Sequence, residues 1–199
     1  MATGIAIILV VAGHLGWKET MWYFDFKTTL YKFHMPFFMF LSGFLLAYTR
    51  YHYANFREFK SFIASKSLKF FIPYLFFSML FIVVNIGLDN IKTSQEISDA
   101  FEAVLFYPKS GASGFLWYVY VLIEFYIFFP LLYQVKIFRK NSWLFLFIGI
   151  LIYLFLPHVK YLGIKNFATY ILFFAIGFVL QNYYQNIKRF LNSSGPFFL

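Results

Sequence analysis

The chain has 199 residues, of which 61% are hydrophobic and 26% aromatic, and its mean hydropathy is +0.69. A soluble domain of this size cannot bury so much apolar surface, so the composition excludes that class and indicates an integral membrane protein. The formal net charge is +9, but the excess cations flank apolar segments, which argues for membrane topology and against nucleic acid as a partner. The absence of cysteine excludes disulfides and thiol chemistry.

Six apolar segments predict six membrane-spanning helices in one all-α bundle. They lie near residues 2–17, 33–49, 68–88, 115–135, 143–157 and 167–183. A crossing needs about 20 apolar residues, so the shorter segments must borrow flanking aromatic residues. The one long polar connection lies at about 89–114. Four glycines, Gly13, Gly16, Gly43 and Gly177, are predicted to permit close approach of helices.

The distribution of lysine and arginine predicts the orientation of the chain. Loops on one side carry ten cations against a single acid, Glu58, whereas the other side carries seven cations and six acids. Because cytoplasmic loops hold the excess of lysine and arginine, both ends of the chain are expected in the cytoplasm. The ten cations are Arg50, Arg57, Lys60, Lys66, Lys69, Lys136, Arg139, Lys140, Lys188 and Arg189.

Two histidines are candidate functional residues. His14 ends the first apolar run, and an ionisable group inside a membrane is costly enough that it commonly marks a reaction site or a pathway. His34 lies near the start of the second segment, so the two imidazoles are expected near one cavity. The alternatives are a hydrogen-bonded packing role for His14 and, for His34, a ring in water at the membrane interface.

Glu124 lies midway along the fourth segment, where a lone carboxyl is expensive unless it is protonated or paired. It is predicted either to orient a catalytic imidazole or to form a hydrogen bond within the bundle. Lys66 and Lys69 have the i, i+3 spacing of one helical face and either anchor the chain in the membrane or bind phosphate groups. The four histidines have no metal-ligand spacing, so no metal site is predicted.

Several segments resemble a known family. Thr3 to His14, with ten residues between them, looks like an arginine-to-histidine motif, and Phe33 to Phe44 is similar to a second-helix signature that ends in Ser-Gly-Phe. These segments resemble the membrane acyltransferase-3 family, especially its fucose and polysaccharide O-acetylase-like branch. Weaker matches are Lys66–Lys69 with Pro73-Tyr74, Leu116–Tyr118 and Phe173–Gly177.

The resemblance implies an O-acyltransferase of the inner or plasma membrane. Such an enzyme moves an acyl group, commonly acetyl from cytoplasmic acetyl-CoA, to a hydroxyl of an extracytoplasmic sugar or polysaccharide. The residue types add candidate roles within such an enzyme. His14 is the candidate general base or acyl carrier, and His34 and Glu124 are candidates to orient it or to contact the acceptor. Lys66 and Lys69 are candidates to bind the phosphates of coenzyme A.

Two departures from the family pattern leave alternatives open. The motif arginine falls on Thr3, and the chain has fewer spans than the family. Residues 1–199 are therefore expected to form one membrane acyltransferase domain that is incomplete at both ends. The alternatives are a non-catalytic truncated homologue and a transporter or exporter in which His14 and Glu124 form a pathway.

Overall fold

The computed structural model describes residues 21–49, 56–111, 113–156, 159 and 161–193. Within these ranges the chain forms helices and turns and no strand, which confirms the all-α prediction. Two short 3₁₀ turns, Gly114–Leu116 and Tyr161–Gly163, lead into the fourth and last helices. The α-helices are α1 (Met21–Tyr48), α2 (Phe56–Gly87), α3 (Ser94–Phe106), α4 (Trp117–Gln134), α5 (Lys136–Lys140), α6 (Trp143–Phe155) and α7 (Ile164–Ser193).

Four of the described segments are long and apolar enough to cross a membrane, namely Thr28–Tyr48, Arg57–Gly87, Gly114–Gln134 and Tyr161–Tyr184. The apolar helix α6 has 13 residues. That is about 20 Å, shorter than a hydrocarbon core. These five segments correspond to the second to sixth predicted spans. The first predicted span, near 2–17, lies outside the described residues.

Two predicted boundaries were wrong, because helix formation continues past the apolar run. Helix α1 begins at Met21 rather than near 33, and α2 begins at Phe56 rather than near 68. Lys66 and Lys69 therefore lie on α2, outside the apolar run near 68–88 or at its edge. Backbone hydrogen bonding does not stop at the edge of the hydrocarbon, and lysine side chains reach the polar interface from a helix.

The polar connection at 89–114 lies between two candidate spans and contains a helix that was not predicted, α3. A capping box starts the helix: the Glu96 amide donates to the Thr93 hydroxyl over 3.2 Å, and the Thr93 amide donates to the Glu96 carboxylate over 3.1 Å. These bonds satisfy amide groups that the first turn leaves without partners. Ala100, Ala103 and Val104 form its buried face.

The chain divides into two compact units. Unit 1 comprises residues 1–50 and 172–199, so its described part is α1 and most of α7. The two helices meet at glycines: a Cβ on Gly43 would collide with the carbonyl oxygen of Phe174, and a Cβ on Gly177 would collide with that of Phe40. The predicted role of both glycines in close helix approach is confirmed.

Unit 2 comprises residues 51–171. Its helices α2 and α4 run antiparallel, because partners on α4 fall earlier in the chain as those on α2 fall later. Ring centroids lie 5.3 Å apart for Phe70 and Tyr126, and 5.8 Å apart for Tyr74 and Tyr120. The core that joins α3 to this pair contains Tyr74, Ile82, Ala100 and Val104.

Aromatic stacking joins α4 to the helices that follow it within unit 2. The ring of Phe129 stacks on that of Phe145 from α6, with centroids 5.4 Å apart and planes 8° apart. Phe125 contacts Phe167 at the start of α7, with centroids 4.8 Å apart. Such ring pairs contribute to helix association in a membrane, where apolar burial alone provides little driving force.

Candidate functional site

The carboxyl group of Glu124 lies on α4, inside the span Gly114–Gln134. Its Oε2 atom is buried and has no hydrogen-bond partner among the described residues. A buried polar atom without a partner is costly, and buried unsatisfied groups are uncommon in folded proteins. A purely structural role for Glu124 would require a hydrogen-bond partner for Oε2, and the described residues provide none.

Next to Glu124 is the turn that precedes α7. A Cβ placed on Gly163 would lie 3.6 Å from Oε2 of Glu124 and 3.4 Å from the ring of Tyr120. These distances are ordinary van der Waals contacts, so space is not what favours glycine here. The backbone favours it, since Gly163 has a φ of +67° and follows Leu162 at +51°. The left-handed turn thus places main chain, without side chain, beside the carboxyl.

Aromatic contacts position that turn. The ring of Tyr161 stacks on Phe106 with centroids 5.5 Å apart and planes 6° apart, and meets Tyr107 edge-on at 5.8 Å. Phe106 and Tyr107 form the C-terminal end of α3. One wall of the Glu124 site therefore depends on α3, the helix that the sequence analysis missed.

Two tyrosine hydroxyls hold the same end of α3. Tyr74 donates to the carbonyl oxygen of Val104 over 2.6 Å, and Tyr120 donates to that of Leu105 over 2.9 Å. The last four carbonyls of a helix lack partners within the helix, so the two phenols supply what α3 needs. Sequence reasoning named Tyr74 only within a weak family match and did not name Tyr120. A hydroxyl inside an apolar segment was the available signal, because a buried phenol usually has a partner.

His34 is buried on α1, where Nδ1 lies 2.7 Å from the carbonyl oxygen of Leu30. A carbonyl can only accept, so Nδ1 carries a proton and donates it. In the neutral ring Nε2 then bears the lone pair. The alternative of an interfacial ring in water was wrong, because His34 lies well inside a helix and is 5% exposed.

The predicted catalytic residues fall in different parts of the chain. His34 belongs to unit 1 and Glu124 to unit 2, and each unit is described by itself. His14 lies outside the described residues, as does Thr3, so the predicted common cavity of His14 and His34 remains a prediction.

The two candidate phosphate-binding lysines lie on α2, and the predicted shared helix is confirmed for them. Lys69 is exposed, whereas Lys66 is half-buried with Nζ 5.8 Å from the ring centroid of Phe62. Between them Ser67 has a buried hydroxyl without a partner among the described residues. This part of α2 therefore offers two cations and a hydroxyl within one turn.

Among the residues that the structure describes, no group of three histidine, cysteine or acidic side chains could hold a metal ion.

The chain matches the sequence profile of one family, described as an acyltransferase domain, over residues 3–198. No curated protein and no solved structure matches it. Two segments that resembled the family, Phe33–Phe44 and Phe173–Gly177, meet in unit 1 through Gly43 and Gly177. Because the profile covers almost the whole chain and the fold is a bundle of apolar helices, this protein belongs to the acyltransferase-3 family of membrane acyltransferases.

Proposed function

We propose that the protein transfers an acetyl group from cytoplasmic acetyl-CoA to a hydroxyl of an extracytoplasmic sugar or polysaccharide in the cell envelope. Family membership supports acyl transfer in general. The observation that carries the proposal to this chain is Glu124, whose buried Oε2 lies in an apolar span beside the bare backbone of Gly163. Ionisable groups in such positions are functional by default.

The reaction forms a bond between the acceptor oxygen and the acyl carbon and breaks the carbon–sulfur bond of the thioester. The proton of the acceptor hydroxyl passes to a base, and the departing thiolate takes up a proton to become free coenzyme A. A sugar hydroxyl is a poor nucleophile at neutral pH, so a positioned base contributes roughly 10²- to 10⁴-fold in rate. We assign that base to His14, with an acyl-histidine intermediate as the alternative.

Glu124 and His34 are proposed to assist that base. A carboxylate that accepts from one nitrogen of an imidazole holds the ring in the tautomer whose other nitrogen accepts a proton. Oε2 of Glu124 is suited to this, since no described group bonds to it. His34 has its ring oriented by the bond from Nδ1 to the carbonyl of Leu30, and it is proposed to assist from α1.

Lys66 and Lys69 are proposed to bind the phosphates of coenzyme A at the cytoplasmic end of α2. Lysine acts there as a point charge on a flexible stem, and two cations one turn apart can serve neighbouring phosphates. Replacing both with glutamine is expected to raise KM for acetyl-CoA about tenfold, with kcat nearly unchanged. The matched control is the double substitution Lys92→Gln and Lys165→Gln, which removes two exposed cations elsewhere in unit 2.

The test is release of the coenzyme A thiol from acetyl-CoA by the full-length protein in proteoliposomes, with hexoses and cell-envelope polysaccharide offered as acceptors. This chain has no cysteine, so it contributes no thiol background to the assay. Acceptor-dependent thiol release supports the proposal, and its absence with every acceptor overturns it. Glu124→Gln is expected to lower the rate at least about 100-fold, as is His14→Ala, whereas Glu102→Gln on α3 leaves it unchanged.

A further inference from the structure

Helix α3 has a feature that the transfer reaction does not require, namely an exposed apolar stripe beside its buried face. Phe101 is 45% exposed and Leu105 is 47% exposed, and both side chains are large and apolar. Their i, i+4 spacing, continued by Ile97 one turn earlier, places them on one flank of the helix. The charged residues of the helix, Glu96, Asp99 and Glu102, lie off this flank.

The register of unit 2 shows how deep this helix reaches. Besides the ring pairs of Tyr74 with Tyr120 and Phe70 with Tyr126, Ser113 donates to Ser78 over 3.1 Å. Gly114, which starts the span that contains α4, therefore lies near the level of residues 78–81 on α2. Tyr74 and Tyr120 lie further inside their spans. Tyr120 is six residues beyond Gly114, which corresponds to about 9 Å along the helix axis.

The C-terminal end of α3 lies at that inner level. The hydroxyls of Tyr74 and Tyr120 bond to the carbonyls of Val104 and Leu105, so these carbonyls are held inside the start of the span rather than above it. The N-terminal end, with its capping box and Glu96, lies further along α2 toward Gly87. Helix α3 thus descends along α2, with its polar end outward and its apolar end inward.

We infer that α3 is a re-entrant helix, whose C-terminal half is inserted into the bilayer with Phe101 and Leu105 against lipid acyl chains. Three observations favour lipid as the occupant. The two adjoining spans also carry exposed apolar side chains near this level, such as Val83 and Phe115. The carbonyls at the inserted end have donors. Of the three acids, Glu96 and Asp99 lie in the outer half of the helix, and Glu102 lies off the stripe, one turn before the C-terminus. Backbone that ends inside a membrane is tolerated only when protein satisfies its polar groups, which is the role of the two phenols.

This inference is independent of the proposed function, and it also has a consequence for the site. Phe106 and Tyr107 at the inserted end contact Tyr161, and the turn that contains Tyr161 reaches Glu124 through Gly163. Insertion of α3 into the membrane would therefore help to position the turn that contains Tyr161 and Gly163 beside Glu124.

Residues 1–199 contain no cysteine, which allows a direct test with single-cysteine variants of this chain. Leu105→Cys, Phe101→Cys and Ser98→Cys are labelled with the fluorophore NBD in phosphatidylcholine vesicles that contain lipids with doxyl quenchers on the acyl chain. Ile72→Cys, at a position 61% exposed in mid-span, is the lipid reference. We expect quenching at Leu105 close to that at Ile72, intermediate quenching at Phe101, and quenching by aqueous iodide at Ser98.

Equal lipid quenching at all three positions would mean that α3 lies flat on the surface, and iodide quenching at all three would mean that it lies in water. Either result overturns the inference. A blue-shifted but unquenched label at Leu105 would show that protein, such as a second copy, covers the stripe, and would also overturn it. In the Tyr74→Phe, Tyr120→Phe double variant we expect NBD at Leu105 to shift its emission to the red and to lose lipid quenching.

Discussion

Gly43 on α1 lies directly against the main-chain carbonyl of Phe174 on α7, and a Cβ at this position would come within 2.9 Å of the carbonyl carbon. Gly177 makes the reciprocal contact with Phe40, where a Cβ would lie 2.8 Å from the carbonyl carbon. The obstructing atoms are backbone, which cannot move aside as a flexible side chain can. The close packing of α1 against α7 therefore requires glycine, with no side chain beyond hydrogen, at positions 43 and 177.

Gly43→Ala is expected to destabilise the protein by about 1–3 kcal/mol, since overpacking forces the helix backbones apart. Gly177→Ala is expected to act in the same way. The measurement is the apparent Tm in detergent, followed by the loss of the monodisperse peak on heating. Gly87→Ala is the matched control, because a Cβ at Gly87 meets nothing within 4 Å. Equal Tm values for all three variants would contradict the account of this helix crossing.

Removal of the phenol hydroxyls is expected to loosen the C-terminal end of α3. Tyr74→Phe removes a buried bond to the carbonyl of Val104, at a cost of about 1–3 kcal/mol for the unsatisfied group. Tyr120→Phe removes an exposed bond to the carbonyl of Leu105 and should cost less, about 0.5–1.5 kcal/mol. The cost of the pair should differ from the sum of the single costs, because both bonds hold the same turn. Hydrogen exchange of the amides of residues 100–107 reports the change. Tyr153→Phe, which alters an exposed phenol on α6, should leave it unaffected.

Gly163→Ala is expected to destabilise the turn beside Glu124 through the backbone alone. Residue 163 has a φ of +67°, and a left-handed conformation costs an alanine roughly 1–2 kcal/mol. The added methyl group itself fits, since it would lie 3.4 Å from the Tyr120 ring. Acyl transfer and Tm should fall together in Gly163→Ala. A variant with lower activity and an unchanged Tm would show that the methyl group obstructs the site instead.

The start of α3 is expected to be pH-dependent through Glu96, which lies outside the spans. Backbone amides of Lys92 and Thr93 donate to its carboxylate and hold the pKa of Glu96 below its ordinary value of 4.5. A carboxyl with a lowered folded-state pKa stabilises the helix above the ordinary value. This stabilisation is lost as the pH falls through the lowered value.

Hydrogen exchange of the first turn of α3, corrected for the intrinsic pH dependence of exchange, measures this effect. Protection should decrease on acidification in the native protein, and in Glu102→Gln, which changes an exposed carboxyl on the same helix. Glu96→Gln should remove the dependence, because an amide fills the capping box without titrating. A pH dependence that persists in Glu96→Gln would assign the effect to another group.

The long apolar helices were predictable because hydrocarbon imposes their length and composition. Their starts were not, because charged residues such as Lys32 and Lys66 end an apolar run without ending a helix. Helix α3 was missed for a related reason. Its segment is polar at one end, so it does not read as part of an apolar helix. Thr93 followed three residues later by Glu96 is a capping-box pattern, and this pattern predicts a helix start.

Individual candidate residues of the site could be named from the sequence, but the residues that surround them could not. Glu124 and His34 stand out in the sequence because each carries an ionisable group into an apolar segment. Gly163 and Tyr120 do not, since a positive φ and the partner of a phenol depend on contacts far along the chain. Leu105, which accepts from Tyr120, is 15 residues earlier and on another helix.

The reciprocal glycine contacts of unit 1 determine which motions are open to its helices. A shift of α7 along α1 by one residue would replace Gly43 or Gly177 at the crossing with a residue that carries a side chain, and the backbones would have to separate. The two glycine contacts therefore oppose sliding of α7 along α1 and fix the register of the two helices. A movement of unit 1 that preserves these contacts carries α1 and the C-terminal part of α7 together.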